Sequence, residues 1–219
     1  MFHVKHPEHT IREHVVTREV LESTREDAKI FREDLTNYLD ELLFWNKKIN
    51  LVSRTVSRET VWEHILHSLL AHSMDLLKDI DSWIDTGTGG GLPGVPLSIA
   101  TKEKRWILND NIRKKIIALN AIIQQAGLKN VQTSTGSITL QEMDAGMGVV
   151  SKHAFKADDL IRKLGEKPWK RIIMWKGAED AKKEIQRIKG SYMYDLYKFQ
   201  FGNSEPFYEG KALLVVKRK

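Results

Sequence analysis

Apolar positions along the chain change texture near residue 80. Over the first two dozen residues, charged positions such as Glu13, Arg18, Glu19, Glu22 and Arg25 dominate, and the weak period reads as a frayed or helical lead-in. From Phe31 the pattern sharpens. Phe31, Leu35, Tyr38, Leu42 and Trp45, widened by Leu39 and Leu43, keep the helical spacing that gives one apolar face. That stripe is the mark of core packing rather than of a cofactor box. A loop over 46–51 follows, then a second helix from Glu59 or Thr60 to about Leu77, with Thr60 and Glu63 spaced as a capping box.

Beyond Ser82 short apolar runs alternate with helical stretches. Strands are predicted at Trp83–Asp85, Trp106–Leu108, Val131–Thr133, Gly148–Val150 and Arg171–Trp175. Helices are predicted at Ile112–Gln124, with Gly127 as a stop signal, at Asp158–Leu164 and at Ala178–Ile188. Tyr194–Phe201 and Ala212–Val216, joined by a Gly, Asn, Ser and Pro loop, read as an antiparallel pair. Such alternation builds βαβ units, a parallel sheet and right-handed crossovers.

At 219 residues without a cysteine, the chain has core enough to need no staple, and disulfides, thiolate zinc sites and a cysteine nucleophile are excluded. No apolar run approaches the roughly 20 residues of a membrane span, and Met1–His9 lacks the apolar core of a signal peptide. A cytoplasmic protein with no membrane and no disulfide partner is expected. Net charge is +6, unevenly spread: residues 1–80 hold 11 Lys and Arg against 14 Asp and Glu, residues 81–219 hold 24 against 15. An acidic front and a basic body raise a polyanion as partner, and a lysine-rich solvated surface accounts for the same numbers. Lys47, Lys48, Arg113 to Lys115, Lys152, Lys156, Arg162 and Lys163 are candidate phosphate contacts, informative only as a cluster.

The densest signal is Ile84-Asp85-Thr86-Gly87-Thr88-Gly89-Gly90-Gly91-Leu92-Pro93-Gly94-Val95-Pro96-Leu97. A strand ending in an acid runs into a glycine turn and then a helix, which lets a ligand approach bare backbone. Gly89-x-Gly91-x-x-Gly94, with Asp110 nearly 20 residues on, matches a dinucleotide fingerprint. Asp85-x-Gly87-x-Gly89-x-Gly91 matches the turn that holds S-adenosylmethionine in class I methyltransferases. The acid just before the turn and the prolines Pro93 and Pro96 favour the second. Asp110, closing the second strand of the unit, suits ribose hydroxyls and equally the cap of the next helix. His64 and His67 sit three apart with no third metal ligand in view, and no metal is expected.

With these residues in hand, the sequence resembles the bacterial small-subunit (16S) ribosomal RNA guanine-N7 methyltransferases of the RsmG type. The matching stretches are Trp45–Leu51, Trp62-Glu63-His64-Ile65-Leu66-His67-Ser68-Leu69 and, most specifically, Asp85–Leu97. Asp110 with Lys114-Lys115, Val150-Ser151-Lys152 and Trp175-Lys176-Gly177 match more weakly, in the family's order. His67 stands where the family has aspartate, Gly136-Ser137-Ile138-Thr139 where it has Gly-Arg-Ala-Glu, and Lys152 where it has arginine.

The resemblance implies a Rossmann-like α/β methyltransferase, a mostly parallel seven-stranded sheet with an antiparallel last strand. A helical segment over 1–80 would pack on a cofactor-binding domain over 81–219. It implies S-adenosylmethionine as cofactor, with Asp85, Gly87, Gly89, Leu92, Asp110, Ile138, Thr139 and Lys152 around it, and Asp85 toward the methionine end. Small-subunit ribosomal RNA, free or in a 30S particle, is the implied partner of a monomer. Guanine N7 carries a free lone pair, so no general base is expected. The same fold acting on another RNA or a small molecule, a non-catalytic nucleotide- or RNA-binding module and, last, a dinucleotide oxidoreductase are the alternatives.

Overall fold

The computed structural model describes residues 10–218; the reading of Met1–His9 lies outside them. A front segment comprises β1 (Ile11–Thr17), α1 (Arg18–Ile30), α2 (Arg32–Asn46) and α3 (Arg58–Ser73). Next come β2 (Ser82–Thr86), α4 (Gly94–Ala100), β3 (Arg105–Asp110), α5 (Arg113–Gln125) and β4 (Val131–Thr135). The chain ends with β5 (Gly148–Lys152), α6 (Ala157–Leu164), β6 (Arg171–Gly177), α7 (Ala178–Ile185), β7 (Tyr192–Gln200) and β8 (Lys211–Arg218).

The eight strands form one sheet in the order β1-β7-β8-β6-β5-β2-β3-β4. Only β8 runs antiparallel to its neighbours. Strand order reverses between β2 and β5, which are adjacent and parallel. Such a switch point opens a crevice at the carboxyl ends of the strands. Residues alternate cleanly between the two faces: Trp83, Val150, Ile173, Trp175, Leu213 and Val215 join the core under α1 to α5. Ile84, Val149, Ile172, Met174, Leu214 and Val216 join the core under α6 and α7. Burial on both faces is why these strands read as short apolar runs rather than half-polar ones.

The front segment departs from the expected helical lead-in. Residues 11–17 form a strand that pairs in parallel with β7, so the sheet has eight strands instead of seven. Val16 is its one buried hydrophobic. The strand is tied down by polar contacts, with Arg12 (2.8 Å) and His14 (3.0 Å) against the buried carboxylate of Asp195 on β7. The helix α3 begins one turn earlier than the box at Thr60: Ser57 is its N-cap, its hydroxyl accepting from the Thr60 amide at 3.1 Å. Glu63 instead accepts from the Tyr208 hydroxyl at 2.9 Å. Ile112 caps α5 and is exposed, leaving Ile116, Leu119, Ile122 and Ile123 as the buried face.

Candidate functional site

The glycine turn leaves the carboxyl end of β2 and enters α4. Asp85, at the end of that strand, is completely buried. Its Oδ2 accepts from the Thr88 hydroxyl (2.6 Å) and from the Gly94 amide at the start of α4 (2.9 Å). Oδ1 has no hydrogen-bond partner. Burial pushes this carboxyl up to about 7, against the pull of those two donors. Asp85 therefore staples the turn to its helix from behind, one oxygen in reserve. Gly94 permits this: a Cβ there would lie 2.3 Å from Leu108 and 2.8 Å from Asp85 Oδ2.

Asp110 closes β3 beside the turn. Its Oδ2 accepts from the Gly89 amide (3.0 Å) and its Oδ1 from the Ile112 amide (2.9 Å). The turn contact is made, whereas the helix cap is not: Ile112 holds the N-cap position of α5 without a side-chain cap, and each Asp110 oxygen keeps a lone pair for a ligand hydroxyl. The front segment buttresses the turn on its other side, where the buried Tyr38 hydroxyl donates to the Gly90 carbonyl at 3.0 Å.

A cleft of about 310 Å³ opens over the turn. Its floor is Gly87 to Gly90 and Leu92; one wall is the loop with Leu51, Val52 and Val56, and the opposite wall is Lys152, His153 and Ala154 after β5. His64 from α3 and Lys115 from α5 complete it. Gly87, Gly89, Leu92 and Lys152 line the cleft, whereas Asp85 and Asp110 lie beneath it. Ile138 and Thr139 do not line it. Ile138 is buried with α6 in the second core, and Thr139 is exposed with its hydroxyl 2.9 Å from Ser137 Oγ. Arg162 and Lys163 pair with Asp159 on α6 and also lie outside.

Lys152 is buried without a carboxylate: its ammonium donates to the His64 carbonyl (2.7 Å) and to Ser68 Oγ (3.2 Å). Burial and the neighbouring Lys211 push it down, partly offset by Asp85. His67 lies fully inside a cage of Phe199, Phe207 and Tyr208, with neither ring nitrogen bonded. His64 is held down to about 3 by burial and by Lys152, His153 and Lys211. His153, exposed at the rim, is held down to about 4 by desolvation and by Lys152, Lys211 and Lys176. Among the described residues no group of three metal-ligating side chains comes together. The sequence reading missed His153. Its one structural signature is a positive φ of 59°, uncommon outside glycine and invisible in composition. Lys176 is structural, bridging Glu184 (2.8 Å) and the Phe155 carbonyl (3.0 Å), which fixes the wall after β5.

The cleft suits a nucleoside-type ligand. A Cβ on Gly87 would lie 2.4 Å from Ala154 Cβ, so bare backbone is required at the floor. Apolar side chains form one wall, and the carboxylates of Asp85 and Asp110 stand directly beneath.

A doubly wound sheet with this turn at its switch point is the Rossmann-like methyltransferase fold. An O-methyltransferase from Bacillus cereus, solved in complex with SAH, superposes at a TM-score of 0.53 with 14% identity, over 83% of this chain and 90% of that one. A ribosomal protein L11 methylase from Lactobacillus delbrueckii subsp. bulgaricus gives 0.53 with 18% identity, over 72% and 79%. In sequence, the family model for rRNA small subunit methyltransferase G matches residues 32–203. Proteins of that name from Cytophaga hutchinsonii and Chlorobium phaeobacteroides are 32% and 29% identical, over 78% and 84% of this chain and 85% and 86% of theirs. A third, from Chlorobium limicola, is 41% identical over 52% of this chain, and that alignment spans half of the relative's length. The chain belongs to the rRNA small subunit methyltransferase G family.

Proposed function

We propose that the protein transfers a methyl group from S-adenosylmethionine to N7 of a guanine in small-subunit ribosomal RNA. The observation that carries this reading is the cleft over the Asp85–Gly94 turn, which has no carboxylate in its lining. S-adenosylmethionine, when bound, supplies an electrophilic methyl group on a sulfonium. Gly87, Gly89 and Leu92 would hold it, Asp110 would take the ribose hydroxyls, and Asp85, buried beneath the turn, would act by holding the turn in shape through Thr88 and Gly94.

Guanine N7 needs no base to remove a proton, and alignment of the two reactants is the main contribution a protein can make. Methylation leaves positive charge on the base. His64 and His153 are neutral at physiological pH, because burial and the surrounding ammonium groups hold them near 3 and 4. Two imidazolium ions facing that base would oppose the charge it acquires; two neutral rings do not.

The described part of the front segment, residues 10–80, would serve as a cover on a cofactor-binding body of 81–219, to whose sheet it adds β1, in a cytoplasmic monomer. No helix among the described residues is long and apolar enough to cross a membrane. The test is incubation with methyl-labelled S-adenosylmethionine and small-subunit ribosomal RNA, free and in assembled particles, followed by nucleoside digestion. Label in 7-methylguanosine is expected; label in any other nucleoside, or none with either substrate, sinks the assignment. Light scattering of the same sample checks the monomer.

A further inference from the structure

The front segment is net acidic, yet one stretch of it is wholly basic in its charges. Residues 42–58 carry Lys47, Lys48, Arg54 and Arg58 and no acid, although residues 1–80 as a whole hold 14 acids against 11 bases. All four cations line one open groove of about 550 Å³, together with Leu43 and Asn50. They are exposed. Arg58 reaches across to Asp40, and the Lys48 ammonium lies over the rings of Phe44 (4.0 Å) and Trp45 (5.1 Å). Phe44 is half exposed on an otherwise polar helix surface. Cations interleaved with an accessible aromatic ring are the composition of a nucleic-acid surface, where phosphates take the charges and a base covers the ring.

The groove is also in the right place. Val56 lines both it and the cofactor cleft, so the loop over 47–56 is a shared partition. Leu51, Val52 and Ser53 face the cleft, while Lys47, Lys48, Asn50 and Arg54 face the groove. The partition is held in shape by Asn46, whose side chain binds Leu51, Val52 and Ser53 through their backbone (2.9, 3.0 and 3.1 Å).

We propose that this groove binds the sugar–phosphate backbone of the RNA strand carrying the target nucleotide, delivering that base over the partition into the cleft. The inference rests on the methyltransferase reading above and adds the path by which its substrate enters. The test is fluorescence anisotropy with labelled, deproteinised small-subunit ribosomal RNA across a salt series. It uses the full chain, the triple variant Lys47→Glu, Lys48→Glu, Arg54→Glu, and a control with Lys183→Glu, Arg187→Glu, Lys189→Glu in and just beyond the last turn of α7. S-adenosylhomocysteine affinity is measured in parallel by calorimetry on all three proteins.

The groove variant is expected to bind RNA at least ~10-fold more weakly than the control, with a slope of log K against log salt shallower by about 2. Its affinity for S-adenosylhomocysteine is expected to match wild type. RNA binding equal to that of the control overturns the groove while leaving the methyltransferase reading intact. A wild-type protein that binds S-adenosylhomocysteine but no free RNA overturns the groove and leaves the methyltransferase reading to the labelling assay on assembled particles.

Discussion

Gly87 has a φ of +70° and no room for a side chain, with Ala154 and Phe155 across the cleft from its α-carbon. An alanine there pays both for the left-handed backbone and for the collision with the wall after β5. Gly87→Ala is expected to lose about 1–3 kcal/mol of stability and to bind S-adenosylmethionine at least ~10-fold more weakly by calorimetry, since the wall must move outward. Unchanged affinity would place the ligand elsewhere. His67 presents the opposite case, a side chain with room but no partners. Both ring nitrogens are buried and unbonded inside an aromatic cage. Replacing a buried polar group that makes no bond by an apolar one of similar size is neutral to stabilising. His67→Leu is therefore expected to hold or raise stability, by up to about 1–2 kcal/mol in urea denaturation at pH 7.5. A loss beyond that range would mean the imidazole has a partner in solution.

At the scale of elements, the partition loop shows how one side chain organises a region without regular structure. Asn46 ends α2 and makes three backbone bonds to residues 51–53, the stretch that walls the cleft. Asn46→Ala leaves two buried or part-buried amides without an acceptor, at about 1–3 kcal/mol. Faster hydrogen exchange at Leu51 and Val52, with weaker cofactor binding, is the expected result; exchange at the wild-type rate would show that the loop is held by other contacts. Most elements from β2 to β8 were legible in sequence because they bury a whole strand or a helix stripe, which leaves a local pattern; the edge strand β4 buries only Val131. The strand β1 buries little beyond Val16 and depends on Asp195, about 180 residues away, for its polar ties. No local pattern records that dependence. The glycine turn was equally plain, but the inward aim of Asp85 was not, because a buried structural acid and a ligand-binding acid share one position. The cage around His67 draws on α3, β7 and the turn at Pro206–Tyr208, so it exists only once the chain has folded.

For the whole molecule, these buried groups set opposing pH dependences. Asp85 ionises near 7 in the folded protein instead of at its ordinary 3.8. Its stabilising contribution is fully present below 3.8 and is lost as pH rises through 7. The histidines act the other way. His64 is lowered to about 3 from 6.5, and His67 is lowered well below its ordinary value by complete burial. Their contribution is present above 6.5 and is lost as pH falls, because the unfolded chain takes up protons that the folded one refuses. His153 adds less, since solvent at the rim screens it. Between pH 8 and 6 the Asp85 gain is about 1.4 kcal/mol. Below about 6.5 the two histidines together lose twice what Asp85 gains per pH unit, so acid destabilisation is expected to dominate from there down. Asp85→Asn isolates the one acid among them. Its stability relative to wild type is expected to fall by about 1.4 kcal/mol as pH is lowered from 8 to 6, whatever its absolute value. Urea denaturation of both proteins at pH 8, 7 and 6 measures that difference. A difference independent of pH would mean that Asp85 ionises as an ordinary carboxylate and that its unbonded oxygen is reached by water.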